Sequence, residues 1–330
     1  MPDPTPANGP TIAAVIPVYN GESYLRRGVE SVLHQTYPAI EILVVDDGSP
    51  DRTRESLGDL DSQVEWHLHG VNRGLPSARN TGIRASTSEW IALLDSDDWW
   101  ESDKLARQVE LIRRAPHLDA VFCDFMHRWP DGSPAQWRGG MIDKLRSLDL
   151  ELRPIGDAGY ELIGRVAHRL IEETSFIHPS TLLVRRRAFD RAGLFDERLR
   201  NMEDLEMWIR LARVCRIGFV DAILTQVEQR PTSLGHNIPR AAEHLLRVYG
   251  ELPELFAPEV LPPVTLASIA RHIAWAHRSL AWANDRNGDR GAARHHYVRA
   301  IRKSFQWGDL KGYARNCLPR SVIRRVRGDR

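Results

Sequence analysis

The chain has 330 residues, of which 42% are hydrophobic and 27% charged, and its formal net charge is +1. That composition excludes a disordered chain and leaves room for one large domain, or one domain with a smaller companion. A near-neutral total also argues against a whole-chain field that would draw nucleic acid, and no nucleic-acid partner is expected.

Residues 1–10 read as a Pro-rich polar leader without the charged-then-apolar pattern of an export signal. Ile12–Val18 is a compact apolar run, a buried strand that ends at Pro17-Val18-Tyr19-Asn20-Gly21. A helix follows from Ser23 to about Gln35, with Leu25, Val29, Val32 and Leu33 on one face. Ile40–Val45 is a second strand, ending at Asp46-Asp47-Gly48-Ser49, where Ser49 suits a helix cap with Pro50 next. Val64, Trp66 and Leu68 alternate with polar residues, so the third strand is half-exposed. Asn72–Ile83 is a loop entering a helix. Trp90–Leu94 is a buried strand that breaks into Asp95, Asp97 and Asp98, three carboxylates within four residues. Leu105, Val109 and Ile112 mark a helix stopped by Pro116, and Ala120–Phe125 is another strand. Met126–Glu173 reads as an irregular excursion, partly helical near 158–170. Thr181–Val184 and Ile217–Val220 are short strands around a helix at Asp204–Val214. Such alternation implies right-handed crossovers and a mainly parallel sheet. Beyond Ile238 the pattern is helical, with one hairpin of tetratricopeptide type near Gly288–Ile301 and no second copy. The expected organisation is therefore a leader (1–10), an α/β domain (11–237) and a helical region with a basic tail (238–330).

Charge and cysteine usage refine this picture. Arg299–Arg330 holds ten Lys/Arg against Asp309 and Asp329, a local +8. A tail of that kind makes peripheral contact with an anionic membrane an expectation to test. Cys123, Cys215 and Cys317 form neither a metal-ligand spacing nor a disulfide framework, which fits a reducing cytosol. No stretch reaches the ~20 apolar residues needed to span a bilayer. A soluble cytoplasmic protein, peripheral at the inner membrane face at most, is expected.

Ligands of open α/β sheets sit at the carboxyl ends of strands, and three crowded carboxylates call for a cation. Five segments occur in order: Val15-Ile16-Pro17-Val18-Tyr19-Asn20, Val44-Val45-Asp46-Asp47-Gly48-Ser49, Ala78-Arg79-Asn80-Thr81-Gly82, Leu94-Asp95-Ser96-Asp97-Asp98 and Glu203-Asp204. With them the chain resembles an inverting family 2 glycosyltransferase over residues 11–229. The resemblance implies a GT-A-type (Rossmann-like), mostly parallel sheet flanked by helices, here with a C-terminal α-helical extension. It also implies an enzyme that moves one sugar from a nucleotide-diphosphate sugar, UDP-linked, to a hydroxyl of a glycan or lipid-linked acceptor, with Mg²⁺ or Mn²⁺.

The implied roles follow the motifs. Pro17, Tyr19 and Asn20 border the base, and Glu22 shapes that loop. Asp47 accepts the imide N–H of uracil, while Asp46 orients the loop or reaches the ribose. Arg79 and Asn80, near a helix start, suit the diphosphate, with Arg73 as an alternative. In Asp95-Ser96-Asp97, Asp97 takes the metal and Asp95 the ribose or a water-mediated metal contact; Asp98 is a third carboxylate without an assigned share. Asp204 is the general base, next to Glu203. His178, Ser180 and Glu203 line the acceptor or phosphate side. His236 completes the metal site in a loop where the family carries Arg-x-x-His, although its spacing from Arg230 departs from that pattern. Trp99 and Trp100 read as packing residues. The Gln-x-x-Arg-Trp motif of processive members is absent, which favours single-sugar transfer. Taken without the resemblance, the residues also allow a non-catalytic sugar-nucleotide-binding scaffold or a nucleotidyltransferase. The latter would need a basic Gly-rich loop, and Asn20-Gly21-Glu22-Ser23 is not one.

Overall fold

β1 (Ile12–Val18) is seven consecutive buried residues, the signature of a strand covered on both faces. The computed structural model describes residues 9–129, 131–135, 140–157, 159–230, 237–257 and 259–317, and the chain divides into two compact units, Met1–Pro231 and Thr232–Arg330. In unit 1, β1 leads to α1 (Leu25–Leu33), β2 (Glu41–Asp46), β3 (Glu65–Leu68), α2 (Leu75–Ala85) and β4 (Trp90–Leu93). Then come the two-residue β5 (Trp99–Trp100), α3 (Lys104–Arg114), β6 (Ala120–Arg128), β7 (Pro134–Ala135), α4 (Gly140–Ser147), β8 (Glu151–Pro154), β9 (Gly159–Ile163) and α5 (Val166–Glu173). β10 (Leu183–Arg185), α6 (Ala188–Ala192), α7 (Glu203–Val214) and β11 (Ile217–Glu228) complete the unit.

Among the described residues, eleven strands form one sheet in the order β3-β2-β1-β4-β10-β6-β11-β9-β8, with β5 on β11 and β7 on β6. The expected parallel arrangement holds across β3-β2-β1-β4 and again between β6 and β11. β10 interrupts it, running antiparallel to both β4 and β6. That reversal matters for the site: the start of β10, Leu183, lies opposite Ala92 near the end of β4. The turn preceding β10 therefore lies at the rim where β4 releases its acidic loop.

Two expectations change. Within the excursion at Met126–Glu173, β8 and β9 form a hairpin, and β9 joins the sheet beside β11. β8 is the polar edge segment Glu-Leu-Arg-Pro, which carries no apolar alternation to betray it. Gly164, at φ +108, separates strand β9 from helix α5 where one helix was expected. Ser49 caps no helix. Its Oγ accepts the Asn20 N–H at 3.0 Å, and the following segment, Glu55–Gln63, is 3₁₀ with a break at Gly58.

α2 approaches β1 closely at Gly82, where an added Cβ would stand 2.4 Å from Val15 Cγ1. Gly82→Ala is expected to destabilise unit 1 by about 1–3 kcal/mol through overpacking, despite the better helix propensity of Ala. Urea denaturation checks this; an unchanged or higher midpoint would show that the helix can give way.

Unit 2 is helical: α8 (Ile238–Phe256), α9 (Pro263–Arg286), α10 (Arg290–Lys303) and α11 (Trp307–Cys317). Asn237 caps α8 by accepting the Arg240 N–H, and Asp289 caps α10 by accepting the Ala292 N–H. α9 and α10 form a hairpin closed at Gly288 (φ +81) around Ala281, Ala293 and Tyr297, and α8 and α11 pack beside it, so the unit holds more than the one hairpin expected. Among the described residues no helix is long and apolar enough to cross a membrane. His236 and the basic segment Arg320–Arg330 lie outside the described residues.

Candidate active site

The acidic loop after β4 is held by the turn before β10. Ser180 Oγ accepts the Asp95 N–H at 3.0 Å and donates to Asp98 Oδ2 at 2.5 Å. Asp98 Oδ1 accepts the Glu228 N–H from the end of β11 at 3.1 Å. Trp100 Nε1 donates to Ser180 O at 2.8 Å. Ser180 is thus a buried brace of the site. His178, half-buried, faces the same carboxylate, with Nδ1 3.6 Å from Asp98 Oδ2. Asp95, Asp98 and His178 present ligand atoms that all lie within 4.8 Å of one another. Burial, partly opposed by Asp95, pushes His178 down to about 4, leaving its imidazole neutral at pH 7, the form that ligates a metal. Burial and the charges of Asp97 and Asp95 push Asp98 well above the carboxylate range. A bound cation would relieve such crowding, and the two carboxylates offer hard oxygen donors.

The expected ligand Asp97 is directed elsewhere. It pairs with Arg230, whose guanidinium lies 4.1 Å over the Tyr24 ring. Asp98 and His178 join Asp95 in the cluster where Asp97 was expected. The sequence offered three adjacent carboxylates, and only contacts from Ser180, Glu228 and Arg230 distinguish them. Ser96 is buried between them.

Arg79 and Asn80 also differ from expectation. Both are 1% exposed, so neither lies open to a diphosphate. Arg79 donates to Asp95 Oδ1 at 2.6 Å and to Glu203 Oε1 at 2.9 Å, tying the acidic loop to the start of α7. Burial opposes its charge, but those two carboxylates outweigh the penalty and hold it ionised. Asn80 brackets Phe195, accepting its N–H and donating to its C=O, both at 2.9 Å.

At the β1 and β2 ends, Tyr19 is 44% exposed and Asn20 takes φ +58, a left-handed conformation uncommon outside glycine. Pro17 is buried in β1 opposite Val45, and Glu22 pairs with Arg52 at 3.0 Å. Asp47, expected to read the base, is consumed by the fold. It pairs with His69 Nδ1 at 2.7 Å and accepts the N–H groups of Arg73 and Gly74 at 2.8 and 2.7 Å. Asp46 is half-buried, and the one hydrogen bond found to its carboxylate among the described residues comes from the Ser49 N–H at 2.9 Å. His69 gave no sequence signal, since it merely follows a half-exposed strand.

Asp204 is the second residue of α7, after Glu203, and the helix is entered through Met202 at φ +61. Its Oδ1 accepts the Leu205 N–H at 2.7 Å. Burial first, then the Glu203 charge, push Asp204 up to about 7. Beside the acidic loop lies an open hollow of about 380 Å³ lined by Arg27, Trp99, Arg128, Trp129 and Glu228. Trp99 is half-exposed there, under the Arg27 guanidinium at 3.7 Å, while Trp100 is core.

Residues 13–192 match the family model described as Glycosyl transferase family 2. The chain belongs to that family. This family 2 chain is 32% identical over 248 residues to the uncharacterized glycosyltransferase EpsJ of Bacillus subtilis, covering 73% of this chain and 68% of that one. It is 30% identical over 216 residues to an uncharacterized glycosyltransferase of Rickettsia typhi, a match spanning 65% of this chain and 63% of the relative's length. Among solved structures it is similar to S. aureus TarS 1–349 in complex with UDP-GlcNAc, with a TM-score of 0.64 at 16% identity over 93% of this chain and 90% of that one. It is also similar to the mannosyltransferase PcManGT from Pyrobaculum calidifontis in complex with GDP-Man and Mn²⁺, with a TM-score of 0.56 at 18% identity over 96% and 81%. The fold is the GT-A type.

Proposed function

We propose that the protein is an inverting, metal-dependent glycosyltransferase that moves one sugar from a nucleotide-diphosphate sugar, UDP-linked, to a hydroxyl of a glycan or lipid-linked acceptor. The observation that carries this reading is the cluster of Asp95, Asp98 and His178 at the strand ends, joined through Arg79 to the helix start that bears Asp204. The complexes of TarS with UDP-GlcNAc and of PcManGT with GDP-Man and Mn²⁺ support it by analogy of fold.

Asp95, Asp98 and His178 would hold Mn²⁺ or Mg²⁺, which when bound supplies positive charge for the departing diphosphate. Tyr19 offers an exposed face for the base, and the free side of Asp46 takes the imide N–H in place of Asp47. Asp204, once ionised, removes the acceptor proton while that oxygen attacks the anomeric carbon from the side opposite the nucleotide. A single displacement with one base and no covalent intermediate inverts the anomeric centre. The hollow lined by Trp99 and Trp129 offers the acceptor an aromatic wall.

Mn²⁺ titration followed by electron paramagnetic resonance, with and without UDP, tests the metal assignment. The expected result is one bound ion, lost in Asp98→Asn and Asp95→Asn and kept in Asp97→Asn. Mn²⁺ binding that survives both of the first two changes would contradict it.

A further inference from the structure

Fourteen large hydrophobic side chains are exposed among the described residues, and nine of them lie in unit 2, the smaller of the two. On α9, Val264, Trp275 and Trp282 are 56%, 42% and 51% exposed. Their spacing brings all three within about 20° of one direction on the helix, on a stripe about 33 Å long that continues to Arg286. The opposite face, with Ile269, Ala276 and Leu280, is buried in the unit. Arg271 and Arg286 lie on the exposed stripe, and the Arg286 guanidinium sits 4.7 Å over the Trp282 ring.

The corner between α10 and α11 borders this stripe. Arg278 of α9 pairs with both oxygens of Asp309, at 2.8 and 2.9 Å, and donates to Ser304 O. Beside those anchors Phe305 and Trp307 project, 52% and 71% exposed, with their rings 5.4 Å apart. Between Pro263 and Cys317 there are ten Lys/Arg and three carboxylates, a net +7. Each carboxylate is engaged: Asp285 by Arg315, Asp309 by Arg278, and Asp289 by the Ala292 N–H. On the α9 stripe, Trp275, Trp282, Arg271 and Arg286 face outward.

That pairing suits the headgroup layer of a bilayer, where Trp rings sit at the polar–apolar boundary and cations meet lipid phosphate. A two-fold pairing of copies through this face would set Arg271 and Arg286 against their own kind. We propose that this face of unit 2 docks on an anionic lipid surface, with α9 lying flat, Trp275, Trp282 and Trp307 at headgroup depth, and the arginines on phosphate. The proposal does not draw on the basic terminal tail or on the catalytic reading.

Co-sedimentation of the full chain with vesicles tests it, using phosphatidylcholine alone and phosphatidylcholine with about 30% phosphatidylglycerol. The protein is expected to pellet with the anionic vesicles only, and less at about 0.5 M salt than at about 0.1 M. Trp275→Ser with Trp282→Ser, and separately Arg271→Glu with Arg286→Glu, should each lower partitioning at least tenfold at unchanged far-ultraviolet circular dichroism. If the tryptophan pair unfolds, the arginine pair decides. Arg324→Glu with Arg325→Glu and Arg327→Glu in the tail should leave most of the binding. The proposal is overturned if wild type stays in the supernatant, or if only the tail variant loses binding. It is also overturned if light scattering finds a dimer that the tryptophan changes disperse while vesicles bind nothing.

Discussion

Asp204→Asn is expected to lower kcat by roughly 10²–10⁴-fold while leaving the dissociation constant for the sugar nucleotide within a few-fold. The side chain keeps its size and its hydrogen bond from the Leu205 N–H but can no longer take a proton. The wild-type pH profile adds an independent signature. Burial and Glu203 raise Asp204 to about 7, so the carboxylate is protonated below that pH and ionised above it. Log kcat/KM should therefore rise with pH up to about 7 and then level, and the Asn variant should lack this limb. Glu203→Gln, which removes the neighbouring charge, should move the limb to lower pH. A non-catalytic sugar-nucleotide-binding protein would show the same binding with no turnover to lose.

Arg79→Met is the substitution with the largest expected effect on stability. The guanidinium is 1% exposed and spans Asp95 and Glu203. Removing it leaves two carboxylates without their cation, beside Asp98 and Asp204. Breaking a buried pair in this way costs about 3–5 kcal/mol, or roughly 6–20 °C in Tm. An exposed pair such as Arg54–Asp61, by contrast, is expected to contribute little, because water screens it. Differential scanning calorimetry separates the two. A Tm within ~2 °C of wild type for Arg79→Met would mean that water already reaches the network.

Much of unit 1 is legible along the chain because its central strands are continuous apolar runs that end in polar loops. Ile12–Val18, Ile40–Val45 and Trp90–Leu94 needed no tertiary information. β8 and the direction of β10 did, since one is a polar edge and the other is set by its partners. The same limit governs the site. Residue types reveal an acidic rim, but which carboxylate is spent on the fold depends on groups far away in sequence. Gly74 and His69 take Asp47, Arg230 takes Asp97, and Ser180 with Glu228 hold Asp98. Arg79 reads from its motif as a surface phosphate ligand; only the convergence of Asp95 and Glu203 on it explains why it is buried.

The central claim is that the strand-end acids work with a divalent ion on a nucleotide-diphosphate sugar. Release of free sugar from a panel of UDP- and GDP-linked donors, measured with Mn²⁺ and again after chelation, tests it most directly. The expected result is slow hydrolysis of one donor that requires the metal and disappears in Asp98→Asn. Hydrolysis of none of the donors, together with no calorimetric binding of any of them in Mn²⁺ or Mg²⁺, would contradict it.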